Sequence, residues 1–284
     1  MNLYSRSRFA SIVVVLYGLL VSSQAVAGEA PPSATEILRQ VQATYDAMRS
    51  YSGAGEVTSA FSPSGLAPQE MTHAFTIRLG RPELYRIEWE QRLPNFVMKG
   101  AVWSAGEGHF VVVPGQVNRE QAKDVSTALA MATGISGGAA STIPGAFFAL
   151  GHGPFKTLTD ATLVRDEAIE GDQCYVISGR VAKQLGTTLW ISKKSKLLRQ
   201  MRHDYHGPME MPEITDEDVK KSLESMNREP TDEAVAAMKG QLESAQKMMS
   251  RGMTGFSIEL HRDIKVNPPL SKTDFAPTIA IEGQ

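Results

Sequence analysis

The chain has 284 residues, 42% apolar and 21% charged, with 29 Lys+Arg against 31 Asp+Glu. That composition excludes a disordered or collagen-like chain, and a pI near 6.3 argues against a nucleic-acid binder, which carries a basic excess. The single cysteine, Cys174, excludes a disulfide framework and a multi-cysteine metal site.

Arg6 and Arg8 precede an apolar run from Ala10 to Val21, then Ser22-Ser23-Gln24 and Ala25-Val26-Ala27. Basic, apolar, then small-x-small is the layout of a secretory signal peptide over 1–27, cut after Ala27. The run is shorter than the roughly 20 residues that span a bilayer, although retention as an N-terminal anchor is the alternative. Export places the protein in the periplasm and leaves 27 basic against 31 acidic residues, a net charge of −4. Residues 28–284 then read as one domain, with no polar stretch long enough to be a linker.

Ser33 and Glu36 have capping-box spacing. Ile37, Leu38, Val41, Tyr45 and Met48 follow at helical spacing, which predicts a helix over 34–50. From Tyr51 the period becomes two. Phe75, Ile77 and Leu79 form one alternating set, and Tyr85, Ile87 and Trp89 another. Strands are also expected over Phe96–Trp103 and His109–Val113. Asn118 is the expected cap of a helix carrying Val125, Ala128, Leu129 and Met131, followed by the small-residue run 137–140 and the apolar segment Phe147–Leu150. Strands resume at about 160–167, 173–182, 186–192 and 197–206. Residues 213–252 read as an acidic helical insertion with nine acids against six bases, capped at Thr231 and striped by Val235, Met238, Leu242, Ala245 and Met249. In the last strand Phe256, Ile258, Leu260, Ile264 and Val266 alternate with polar residues, which predicts that they face the core. Arg262 shares their phase. It either meets an anionic head group at a pocket mouth or runs past the sheet edge to an acidic side chain.

Motifs for nucleophilic catalysis, phosphate binding and zinc proteolysis are missing from the sequence. The six histidines are scattered, and His203 and His206, three apart on a strand, point to opposite faces. Cys174 lies in an apolar stretch and reads as a core thiol. The expectation is therefore a protein that is not an enzyme, with no cofactor and no metal site. Eight of the 13 methionines fall between Met201 and Met253, a flexible apolar set suited to varied partners.

The order of these elements, with Arg81-Pro82-Glu83-Leu84-Tyr85-Arg86-Ile87-Glu88-Trp89, Leu189-Trp190-Ile191-Ser192 before Leu197-Leu198-Arg199, and Asp274-Phe275-Ala276-Pro277, resembles the LolA/LolB/LppX superfamily of periplasmic lipoprotein and lipid carriers. The resemblance implies an α+β fold: an unclosed antiparallel β-barrel, or half-barrel, with helices plugging the concave face around a cavity for acyl chains. It departs from the family at Ala105-Gly106-Glu107-Gly108 and in the length of the 213–252 insertion. The implied function is a carrier or chaperone for a lipid or lipidated protein, delivering to a membrane or protein acceptor in outer-membrane biogenesis. The alternative is a sensor or regulatory protein-interaction module on the same fold. On the carrier expectation Tyr85, Ile87, Trp89, Phe256, Ile258 and Leu260 line the cavity, with Arg262 at its mouth.

Overall fold

The structure, a computed structural model, describes residues 32–63, 68–93, 96–114, 119–151, 153–182, 185–207, 213–250 and 253–279. The expected signal peptide and its cleavage site lie outside them.

The first helix, α1 (Ala34–Asp46), starts at Ser33, whose hydroxyl accepts from the Glu36 N–H at 3.2 Å. It buries Ile37, Leu38, Val41 and Tyr45. Its last carbonyls meet Arg81, which donates from Nε to Met48 O at 3.3 Å and from Nη2 to Tyr45 O at 3.4 Å. The Arg-Pro pair that marks the sequence is therefore a C-terminal helix cap.

Five strands follow: β1 (Ser50–Pro63), β2 (Gln69–Gly80), β3 (Leu84–Leu93), β4 (Phe96–Ser104) and β5 (His109–Val112). A three-residue strand, β6 (Glu120–Ala122), precedes α2 (Val125–Thr133). The cap of α2 is Asp124, which accepts from Thr127 N at 2.8 Å. The expected cap, Asn118, lies outside the described residues, and β6 occupies the interval between. Two short helices, α3 (Thr142–Phe147) and α4 (Pro154–Thr157), lead into β7 (Thr159–Ile169), β8 (Asp172–Ala182), β9 (Leu185–Ser192) and β10 (Leu198–Gly207). The insertion forms α5 (Asp216–Ser225) and α6 (Asp232–Ser250), and β11 (Met253–Val266) closes the order.

All strands join one antiparallel sheet in the order β6-β5-β4-β3-β2-β1-β11-β10-β9-β8-β7. Its end strands do not meet, so it is an unclosed half-barrel. Helices α1 to α4 cover the inner face, where their apolar residues join Val57, Phe75, Ile77, Leu79, Ile87, Val102, Ile177, Leu189 and Leu198 in one core. On the outer face the tail crosses β2 to β4. There Arg78 pairs with Asp274 at 3.0 Å, and Arg86 Nη1 donates to Ala276 O at 2.6 Å.

The last strand departs from its expected phase. Glu259 and His261 are the buried residues, 3% and 1% exposed. Phe256, Ile258 and Leu260 lie half-buried on the outer face, opposite Asp204, Arg202 and Gln200 of β10. The Arg202 guanidinium lies over the Phe256 ring at 4.7 Å. The physical reason is a bulge. The register with β1 jumps between Ala54/Arg262 and Ser52/Lys265, and Asp263 takes a φ of +52°. One extra residue there reverses the side-chain phase, so Ile264 reaches the core while the three apolar residues before it do not. Arg262 is exposed, its Nε 2.6 Å from Glu170 Oε1, which settles it as a surface ion pair.

Candidate functional site

Between the inner face of β9–β11 and the α2–α4 segment lies a cavity of about 230 Å³. Its floor and walls follow from strand register. Glu259 is paired with Met201, Ser257 with His203, and Gly255 with Tyr205. Across β10, His203 is paired with Thr187 and Tyr205 with Leu185. Side chains of paired residues share a face, so these rows climb from Glu259 and Met201 at the floor, through Ser257 and His203, to Tyr205 and Leu185 at the end of the sheet. Val181 also lines this outer end, and the helical wall is Thr133, Gly137, Gly138, Ser141, Thr142, Pro154 and Thr157. The floor is polar and the rim largely apolar.

Two glycines make the arrangement possible. Gly255 has no side chain between Phe61 and Tyr205, whose rings meet edge-on at 5.2 Å. A Cβ there would stand 2.1 Å from the Ala60 carbonyl oxygen. Gly137, at φ +67°, lets the helical wall press onto His73, where a Cβ would lie 2.9 Å from Nδ1.

The electrostatics centre on one carboxylate. Thr142 Oγ1 donates to Glu259 Oε2 at 2.5 Å. Glu259 Oε1 is 3.1 Å from His261 Nε2, yet neither atom has an aligned hydrogen-bond partner among the described residues. The His261 ring rests edge-on against Phe75 at 5.6 Å. His203 Nδ1 shares a 2.8 Å hydrogen bond with Thr187 Oγ1. Burial holds the His203 pKa below its ordinary value, against the opposing charges of Glu259 and Asp204. Burial also lowers His73 and raises Tyr205. Among the described residues, Glu259 is thus the one carboxylate of the lining.

The hydroxyls do not form a catalytic relay with these groups. Thr142 is bonded to the carboxylate rather than to an imidazole, and the hydroxyl that meets a histidine, Thr187, is 1% exposed. A nucleophile–base–acid chain needs the imidazole between the other two.

Tyr85, Ile87 and Trp89 share the inner face, paired with Leu79, Ile77 and Phe75. They are core residues rather than cavity lining: Tyr85 packs edge-on against Phe148 at 5.9 Å and shares a 2.9 Å hydrogen bond with His109. Phe256, Ile258 and Leu260, on the outer face, cannot line it. Sequence reasoning missed Glu259, His261 and His203. The one sequence clue was a Ser-x-Glu-x-His row as regular as the apolar row beside it.

The insertion is rooted at the cavity mouth, because β10 ends and β11 begins beside Tyr205, where Gly207 is paired with Met253. Its far end returns to the β6 edge. There Ser225 O accepts from Lys123 N at 3.2 Å, Asn227 Nδ2 donates to Gln121 O at 3.2 Å, and Arg228 pairs with Glu120 at 2.8 Å. From β11 to β6 is six strand spacings, about 29 Å on a flat sheet, and the 19 residues of α6 reach about 28 Å. The pair is therefore a strap long enough to run from the β6 edge, where α5 borders α2, back to the start of β11. It buries its own small cluster, Val219, Leu223 and Val235, separate from the main core.

No protein-family model matches the chain, and no curated protein matches it by sequence. Solved structures are similar to it over most of its length. The lipoprotein LppX of Mycobacterium tuberculosis is 11% identical, with 84% of this chain and 97% of that chain covered and a TM-score of 0.40. LprF of Mycobacterium bovis is 12% identical over 84% and 94%, with a TM-score of 0.39. A LolA superfamily protein of Nitrosomonas europaea is 11% identical over 87% and 99%, with a TM-score of 0.29.

Proposed function

We propose that the protein is a non-enzymatic periplasmic carrier or chaperone that holds an acyl chain of a lipid or lipidated protein. The observation behind this is the cavity on the inner face of β9–β11 with its largely apolar rim, beside the strand ends from which the helical insertion departs. Its 230 Å³ exceeds the roughly 150 Å³ that holds a benzene molecule in an engineered protein cavity, so a short acyl segment fits without rearrangement. Each methylene moved out of water contributes about 0.8 kcal/mol, and eight of them about 6 kcal/mol before the cost of association. A longer chain needs the α2–α4 segment to swing away, and Tyr85, Ile87 and Trp89 are then the wall it meets.

The test is native mass spectrometry and lipid extraction of protein purified from its own periplasm, with titration of a fluorescent acyl probe. The expected result is a co-purifying lipid mass that the probe displaces. Protein that carries no lipid and binds no acyl probe refutes the carrier. A second reading, a sensor or regulatory module that binds a protein partner through the insertion, gains from Leu242, which is 41% exposed on α6. It is distinguished by a partner that binds the lipid-free protein and is lost on Leu242→Glu.

A further inference from the structure

The chemistry of the cavity floor narrows the ligand further than its volume does. A buried carboxylate is costly unless its oxygens are paired. Glu259 is 3% exposed, and only Oε2 is hydrogen-bonded, to Thr142. Oε1 lies 3.1 Å from His261 Nε2 without an aligned hydrogen bond, and Glu259 is part of the cavity lining. The other groups facing the space are hydroxyls, Met201, Leu185, Val181, Pro154, the glycines and a histidine held neutral by burial. Among the described residues, no lysine or arginine lines it. An anionic head group placed here would meet Glu259 with no cation to offset it. An ammonium would find a counter-ion at the floor, hydroxyls beside it, and an apolar exit for its tail past Leu185 and Val181.

We propose that the cavity binds the ammonium group of a single-chain amphiphilic amine, with Glu259 as its counter-ion and the alkyl tail running out along the Tyr205–Leu185 rim. This rests on the carrier proposal and adds the chemistry of the head group. It also orients the ligand: head first to the floor, tail toward the strap.

The test is calorimetric titration of the full mature chain at pH 7.5 with three eight-carbon probes, octylammonium, octanol and octanoate. The expected order of affinity is amine, alcohol, then carboxylate, with the amine at least tenfold above the carboxylate. Glu259→Gln keeps the side-chain shape and an oxygen for Thr142. It should lower amine affinity about tenfold or more and move octanol by less than threefold. Leu185→Trp, which fills the rim, should weaken all three probes together and so place them in this cavity. The selectivity of the unaltered protein needs no variant and stands as a test even if Glu259→Gln fails to fold. Equal binding of amine and carboxylate, or an amine preference that survives Glu259→Gln, overturns the head-group assignment and leaves the carrier standing. Failure of all three probes overturns both.

Discussion

The strap's attachment at the β6 edge predicts a measurable opening. Asn227→Ala removes a hydrogen bond to Gln121 O at an exposed site, a contact of about 0.5–1.5 kcal/mol. Arg228→Ala removes the pair with Glu120, in which the arginine is 50% exposed, so about 0.2–1 kcal/mol is appropriate. Together the substitutions favour the detached strap by about 1–2 kcal/mol, a factor of roughly 5 to 30 in its population. Once detached, helices of 10 and 19 residues with three buried side chains between them hold their hydrogen bonds weakly. Amide hydrogen exchange followed by mass spectrometry should therefore show α5 and α6 exchanging about 5–30-fold faster in the double variant. Amides of β1, β2 and β11, the centre of the sheet, should be unchanged. On the carrier proposal the same variant releases a bound acyl probe faster. If α5 and α6 exchange only when the whole sheet does, or if the double variant melts the sheet as well, the strap is a fixed part of the fold.

Two further outcomes follow from buried titratable groups. Cys174 is fully buried, its thiol pushed up to about 11 mainly by burial; a charged thiol reagent should leave the native protein unlabelled and label it fully after denaturation, and rapid native labelling would refute that burial. His203 is held below its ordinary value of 6.5 in the fold, so the unfolded chain takes up a proton that the folded chain refuses. Its contribution is present above pH 6.5 and is lost as pH falls below that, with a slope of up to about 1.4 kcal/mol per pH unit. His203→Gln should flatten the fall in stability between pH 6.5 and 5 measured by urea unfolding, and an unchanged slope would refute the assignment.

Much of the fold was legible because its determinants are local. Ser33 and Glu36 capped α1 as their spacing implied, and Phe75, Ile77 and Leu79 face the core as their alternation implied. Thr231 caps α6 by accepting from Ala234 N at 3.2 Å. What failed was the inner face of β11. A strand with one apolar and one polar row is expected to bury the apolar row, and the row Phe256, Ile258, Leu260, Ile264 looks unbroken in sequence. The bulge at Asp263 breaks it, and that bulge depends on pairing with β1, more than 200 residues away. The burial of Glu259 likewise depends on Thr142 in α3.

The reversal has an energetic consequence that bears on function. A core built for stability alone would place Phe256, Ile258 and Leu260 inside, each gaining about 1.5–3 kcal/mol from full burial. Instead the strand presents Ser257, Glu259 and His261 to the interior. Glu259 Oε1 and His261 Nε2 there lack aligned hydrogen bonds, which costs stability of the same order per group. Strands β2 and β3, farther along the sheet, bury mostly apolar residues instead: Phe75, Ile77, Leu79, Ile87 and Trp89. With Ser59 of β1, His203 of β10 and Thr187 of β9, the inward polar groups of β11 gather on the strands around the cavity floor. A ligand donor at the Glu259 carboxylate would recover part of that deficit on binding, so Glu259→Leu should raise the melting temperature of the empty protein while weakening binding of an amine probe. That opposition separates a binding carboxylate from a structural one, since loss of a carboxylate that only supports the fold would lower the melting temperature. A drop in melting temperature with amine affinity unchanged would show that the polar row serves the fold.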